Sequence, residues 1–288
     1  MTIKEIFRQN EVTLSFEIFP PKTDAGFAAV EDCAHKIAAL EPSFMSITYG
    51  AGGGTSANTA KLAAKLQNEY NTDVLAHLTC VSSDRAFVRA RLEEYQQLGI
   101  ENIMALRGDL PKDGVISPDF THAIQLIQEI KECYPAACIG GACYPEGHVE
   151  CERQSDDIRY LKEKVDAGLD FLTTQMFFDN NILYNFLYRI REQEIKVPVV
   201  AGIMPITNKK QVARSVALSG ATIPQRFRTM VDRFGDDPAK MTQAGVIYAT
   251  EQIIDLISNG VTHIHVYSMN KPEIAAGIQK SLSYIIDK

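Results

Sequence analysis

An acid inside an apolar strand is costly unless it is used or paired, and this chain carries one at Glu17, within Ser15-Phe16-Glu17-Ile18-Phe19-Pro20-Pro21. Paired to a buried cation it would only fix the structure; left unpaired it is a candidate proton donor. A second such place is Asn102-Ile103-Met104-Ala105-Leu106-Arg107-Gly108-Asp109-Leu110-Pro111, where a strand-like run stops in a cation, a flexible residue and an anion. Two carboxylates at two strand ends point to one shared site. Polar side chains recur where other apolar runs stop: Thr48, Tyr49, His77, Thr79, Tyr144, His148, Gln175, Tyr267 and Asn270. Acids, cations and planar rings together suit an aromatic cofactor carrying phosphates better than a hydrolytic site. A strained nucleophile turn of the Gly-x-Ser-x-Gly type is absent from the chain.

The elements that must position these groups follow from periodicity. Apolar runs rich in β-branched and aromatic residues recur near 12–19, 44–49, 74–80, 102–107, 138–144, 171–178, 197–204 and 262–268, giving eight expected strands. Between them lie stretches of helical spacing, such as Phe27 to Leu40 and Ala86 to Leu98. Thr55-Ser56 and Ser82-Ser83-Asp84 supply helix starts, and Gly99 and Gly168 supply stops. The long interval from Asn208 to Gly260 predicts three helices between the seventh and eighth strands: one to Leu218, one over Pro224 to Phe234, one over Asp237 to Ser258. Strict alternation predicts a single α/β domain over 1–288, a (β/α)8 TIM barrel with those extra helices. An open doubly wound sheet shares the alternation, but its Gly-x-Gly-x-x-Gly fingerprint is not matched by Tyr49-Gly50-Ala51-Gly52-Gly53-Gly54-Thr55. That glycine-rich loop remains open to two readings, a turn or a backbone approach to phosphate.

Composition narrows the function classes. A formal charge of -7 argues against nucleic-acid binding, and no apolar run is long enough for membrane insertion. The first ten residues show no signal-peptide core, so a cytoplasmic location is expected. Six cysteines without a Cys-x-x-Cys pair read as free thiols. Cys143, His148 and Cys151 are metal-ligand types, but their irregular spacing and the lack of an evident fourth ligand lead to an expectation of no metal.

Seven ordered segments carry a resemblance: SFEIFPP at 15–21, SITYGA at 46–51, AHLTC at 76–80, ALRGDLP at 105–111, YPEGH at 144–148, KVDAG at 164–168 and TQMFFD at 174–179. Through them the chain resembles the methylenetetrahydrofolate reductases of the bacterial, single-domain, FAD-dependent type. The resemblance implies a FAD-binding (β/α)8 barrel without a separate regulatory domain. It implies hydride transfer from NADH or NADPH through the flavin to 5,10-methylenetetrahydrofolate, the two substrates taking turns at one site. By the same transfer, Glu17 is the acid that assists opening of the folate imidazolidine ring, and Asp109 is the anion that stabilises the resulting cation. Thr48, Tyr49, His77, Leu106, Arg107, Gly108, Asp109, Tyr144, His148, Asp157 and Lys164 fall at FAD-binding positions, Arg107 and Lys164 as diphosphate partners. Gln175, Tyr267 and Lys271, with Glu17, fall at substrate-binding positions.

Two positions depart from the family pattern. Ser215 stands where a stacking phenylalanine is expected, and Lys271 where a substrate-contacting arginine is common. These departures keep open a second reading, a flavin-binding barrel subunit that receives electrons from a partner protein. A third reading is a phosphate-binding lyase or aldolase with Lys164 as Schiff-base former. Homo-oligomerisation is left open, since no self-complementary patch can be read from the chain.

Overall fold

The computed structural model describes residues 1–21, 24–49, 56–110 and 116–286. Each apolar run becomes a strand: β1 Thr13–Ile18, β2 Met45–Ile47, β3 Val74–Thr79, β4 Asn102–Leu106, β5 Cys138–Cys143, β6 Phe171–Thr174, β7 Val199–Ile203 and β8 His263–Val266. They pair in parallel and in sequence order, and β8 closes onto β1 with Thr13 opposite His263 and Phe16 opposite Val266. The closed (β/α)8 barrel leaves no place for the open-sheet alternative.

The helices are α1 Ile3–Gln9, α2 Phe27–Ala38, α3 Ser56–Tyr70, α4 Arg85–Gln97, α5 Ala123–Cys133, α6 Gln154–Asp166, α7 Asn180–Glu192, α8 Lys209–Ser219, α9 Gln225–Phe234, α10 Pro238–Ser258 and α11 Pro272–Leu282. Their ends follow local chemistry. The Asp84 side chain accepts from the Phe87 amide at the start of α4, and Asp237 accepts from Ala239 and Lys240 ahead of Pro238 in α10. The expected Thr55 cap and the glycine loop of 50–54 lie outside the described residues. Three helices, α8 to α10, do separate β7 from β8, and they bury their own apolar cluster around Phe178, Ile206, Phe227 and Met241. None of the helices in the described residues is long and apolar enough to cross a membrane.

Strand alternation divides the core in two. Leu14, Phe16 and Ile18 of β1 face the helices, whereas Ser15 and Glu17 face the bore. At the N-terminal ends of the strands the bore is closed by α1, which was not expected from the sequence. Ile3, Ile6 and Phe7 stand at helical spacing, but seven residues are too few for periodicity to declare a helix. These side chains pack on Phe44, Leu75, Met104, Cys138, Phe171 and Val200. The Phe7 ring stacks on His263 at 4.2 Å and meets Phe171 edge-on at 5.6 Å. Burying the three α1 side chains stabilises the barrel by roughly 1.5–3 kcal/mol each before entropy is counted. With one end plugged, a ligand has access to the bore from the other.

Candidate active site at the barrel mouth

Three adjoining cavities occupy the C-terminal ends of the strands. The first, about 380 Å3, lies in the mouth itself and is lined by Glu17, Thr48, His77, Leu106, Tyr144, Gln175 and Tyr267 among others. The second, about 500 Å3, runs outward over β4 and β5 and takes in the start of α5, with Arg107, His148, Asp157 and Lys164 in its walls. Leu106, Ala142 and Tyr144 belong to both. A third, about 130 Å3, holds Asp109 with Arg107, His148 and Gln175. Tyr144 lines all three, so the cavities meet at one ring.

Glu17 is 7% exposed, and no other group among the described residues hydrogen-bonds or ion-pairs with its carboxyl. Desolvation raises its pKa to about 8, so at neutral pH it is a protonated acid facing a cavity. Among the described residues no cation stands beside it to make a structural ion pair. Its backbone is held from the other side of the barrel closure. Ser268 Oγ donates to the Glu17 carbonyl at 3.2 Å, and the Asn270 side chain accepts from the Phe19 amide at 2.8 Å and donates to the Phe19 carbonyl at 2.9 Å. Met269 and Asn270 adopt φ of 56° and 54° to make this turn, a conformation that costs energy for a residue with a side chain.

The other mouth residues have defined roles. Tyr267 donates its hydroxyl proton to the Thr174 carbonyl at 2.6 Å, an approach possible only beside a glycine: a Cβ at Gly202 would sit 2.5 Å from that hydroxyl. It therefore offers the cavity a ring, with its proton already committed. Gln175 accepts from the Met176 amide through its side-chain oxygen at 2.9 Å, which leaves its NH2 as donor to the cavity. Burial lowers His77 to about 4, so it is a neutral ring.

In the second cavity, Lys164 Nζ has a carbonyl for partner, Ala142 O at 2.9 Å, and desolvation lowers its pKa. Desolvation raises that of Asp157, with Lys164 opposing. His148 Nδ1 accepts from the Glu150 amide at 3.1 Å, leaving Nε2–H as donor, and its ring meets Tyr144 edge-on at 4.6 Å. Arg107, expected as a diphosphate partner, has its fork held by Glu150 at 2.6 and 2.8 Å, because the loop after β5 folds back over the end of β4. Lys164 is thus the less compensated cation. Gly108 carries φ of 90° and lies so close to β3 that a Cβ would meet Thr79 Cβ at 2.9 Å. Its contribution is to let the chain turn; the side chains on either side of it line the cavities.

Other expected placements are corrected. Tyr49 lines none of the three cavities: one residue after Thr48, it falls on the opposite face and packs in the layer between sheet and helices. Lys271 also turns away, its ammonium donating to Thr207 Oγ1 at 2.9 Å. Glu17 and Asp109 occupy adjoining cavities, not one. Among the described residues no group of three or more His, Cys, Asp or Glu side chains is arranged to hold a metal. Conversely, Gln211, Arg214, Ser215 and Leu218 line the mouth from α8, and Met176, Met204 and Met269 complete that wall. The signal for the α8 residues was their i, i+3, i+4, i+7 spacing, which hydrophobic periodicity passes over because most of them are polar.

Fold and site together define a (β/α)8-barrel protein with connected ligand cavities at the C-terminal strand ends. Residues 2–283 match the family model described as methylenetetrahydrofolate reductase, and the chain belongs to that family. It is 32% identical over 274 residues to the 5,10-methylenetetrahydrofolate reductase of Escherichia coli K12, covering 95% of this chain and 92% of that one. It is 33% identical over 297 residues to methylenetetrahydrofolate reductase (NADH) 1 of Arabidopsis thaliana, covering 98% of this chain and 50% of that one. The chain therefore spans about half the length of its plant relatives and nearly all of its bacterial ones. Among solved structures, a Clostridium thermocellum protein that binds two copies of 5-methyl-5,6,7,8-tetrahydrofolic acid shares the fold at a TM-score of 0.64, with 14% identity, covering 99% of this chain and 100% of that one.

Proposed function

We propose that this chain reduces 5,10-methylenetetrahydrofolate to 5-methyltetrahydrofolate, with FAD as cofactor and NADH or NADPH as reductant in a ping-pong sequence. The observation that carries the reading is Glu17, a buried acid with no partner among the described residues and a raised pKa, at an accessible barrel mouth. Membership of the reductase family supports it and leaves the aldolase reading without support. NADH is favoured as donor, since plant relatives bear it in their names.

The donor set fits FAD. Two cavities joined at Leu106, Ala142 and Tyr144 suit a long molecule with a planar ring at one end and anionic groups further along. Thr48, His77, Leu106 and Tyr144 would hold the ring end; Arg107, His148, Asp157 and Lys164 would hold the remainder. Asp157 is an acceptor for sugar hydroxyls, and the desolvated Lys164 ammonium would gain a phosphate counter-charge. When bound, FAD supplies the hydride carrier between nicotinamide and folate.

The chain's own groups account for the rest of the folate half-reaction. Glu17 holds a proton at its carboxyl and delivers it to the imidazolidine nitrogen that leaves as the ring opens. The substrate becomes a cation, whose exocyclic carbon accepts hydride. Asp109, an exposed residue lining the adjoining cavity, is the anion to which stabilisation of that positive charge is assigned. Gln175 offers its NH2 to the heterocycle, and the Tyr267 ring walls the site against water. One added proton and one added hydride account for the product.

A second reading, electron delivery by a partner protein, is favoured by Leu110, Val149 and Leu218, which are 55%, 58% and 57% exposed and line the Asp109 cavity. One anaerobic spectrum separates the two. Under the first reading, flavin bound to the purified chain bleaches with NADH or NADPH and regains its colour on addition of methylenetetrahydrofolate. Bleaching only in the presence of another protein would favour the second, and a chain that binds no FAD would refute both.

A further inference from the structure

The mouth cavity is walled on one side by α8, whose Gln211, Arg214, Ser215 and Leu218 lie one helical face apart. Of these, Arg214 is the one basic side chain among the described residues that line the cavity, apart from the two neutral histidines. It is exposed, and it makes no ion pair or hydrogen bond within the described chain. Lys271, the cation expected from sequence to meet the substrate, is turned onto Thr207 and lies outside the lining. Beside Arg214, Ser215 leaves open the space a larger side chain would fill, and Met176, Met204, Met269 and Leu218 form an apolar wall. Thioether side chains adapt to flat rings.

We propose that Arg214 is the residue that binds the anionic tail of the folate substrate, its guanidinium pairing with a glutamate carboxylate while the methionine wall receives the aryl ring. This inference rests on the reductase reading above. A planar fork at the rim matches a carboxylate in two bonds, which an ammonium in the same place does not. The tail is remote from the reacting carbon and carries the same charge before and after reduction. The contact is therefore equal in ground and transition states, so its removal raises KM and leaves kcat in place.

The test compares Arg214→Met, which keeps the apolar stem and removes the charge, with Lys271→Ala. Two quantities are read on FAD-loaded protein: the Kd of 5-methyltetrahydrofolate by calorimetry, and KM and kcat for methylenetetrahydrofolate. The expected result for Arg214→Met is a roughly 10- to 100-fold rise in Kd and KM, the range of one charge-assisted contact, with kcat within about twofold. Flavin reduction by NADH stays at the parent rate, a reduced tetrahydropterin lacking the glutamate binds parent and variant alike, and Lys271→Ala stays close to parent. A parent enzyme that turns over folate while Arg214→Met keeps its Kd and KM would overturn the proposal and leave the reductase reading intact. A rise confined to the NADH half-reaction would assign the guanidinium to the other substrate and overturn it equally. A parent chain that binds neither FAD nor folate would remove the reductase reading and the inference together.

Discussion

The floor and the mouth of this barrel are both polar, yet their polar groups are in opposite states. From the floor up to His265 at the base of the mouth cavity, Thr13, Ser15, Ser46, His263 and His265 all have partners. Ser15 Oγ donates its single proton to the Ile264 carbonyl at 3.0 Å, so it must accept from His265 Nδ1–H at 2.8 Å, and Ser46 then donates to Nε2 at 3.0 Å. This closed circuit fixes His265 as a neutral tautomer, and burial lowers its pKa to about 3. His263 is likewise lowered to about 4 by burial, between Phe7 and Thr13. At the mouth, the Glu17 carboxyl has no such circuit among the described residues. Full satisfaction makes a scaffold, and an unsatisfied group beside a cavity makes a reagent.

The sharpest way to break this comparison is Glu17→Gln. Because Glu17 is protonated at pH 7, the amide is nearly its isostere, and stability should change by less than about 1 kcal/mol. Folate turnover should fall by roughly 10²- to 10⁴-fold while NADH still bleaches the flavin. Equal turnover of parent and variant in a steady-state assay would show that the mouth acid is not the proton source.

Phe7→Ala attacks the floor instead. It should cost about 3–5 kcal/mol in a urea unfolding series, with kcat of the folded fraction unchanged. A kcat that falls with stability would mean that the floor positions the chemistry as well.

The buried histidines and the mouth acid also predict opposite pH slopes. His77, His263 and His265 have folded pKa values below their ordinary 6.5, so the unfolded chain binds the extra protons and stability is lost as pH falls below about 6.5. Glu17 is raised from 4.5 to about 8, so its native state holds the extra proton and stability is lost as pH rises between those values. Each group contributes at most about 1.4 kcal/mol per pH unit. Three histidines outweigh one acid below 6.5, and the acid acts alone above it. The contribution of these four groups to stability should therefore peak near pH 6.5. Glu17→Gln should flatten the alkaline limb in chemical denaturation at a series of pH values; persistence of that limb in the variant would assign it elsewhere.

A smaller effect is expected at Asn270→Gly, which keeps the positive φ but removes both bonds to Phe19. Stability should fall by about 1–2 kcal/mol and folate turnover by roughly tenfold, as Glu17 loses its backbone anchor. Loss of stability with unaltered turnover would reduce Asn270 to a staple.

Much of this architecture is legible in the chain. All eight strands lie within the expected runs, and the three helices after β7 match their expected spans closely, since strand and helix periods are local properties of the backbone. Glu17 was recognisable because an acid breaks an apolar pattern. Tyr49 was misplaced because a single residue of register exchanges bore for helix layer, and the polar ending of a run does not reveal its parity. Arg214 escaped because a polar helical stripe reads the same whether it faces water or a cavity.

The sequence by itself determined the alternation, the caps and the presence of one acid in an apolar strand, each a matter of neighbours along the chain. The tertiary structure decided whether that acid had a partner, and which cation reached the cavity. The first answer depends on barrel closure, which brings Ser268 and Asn270 to Glu17 and Phe19 across some 251 residues of chain, and the second on the packing of the loop after β7 against that after β8, which turns Lys271 onto Thr207. Periodicity carries no information at that range, because contacts between the ends of the chain form only when the last strand pairs with the first.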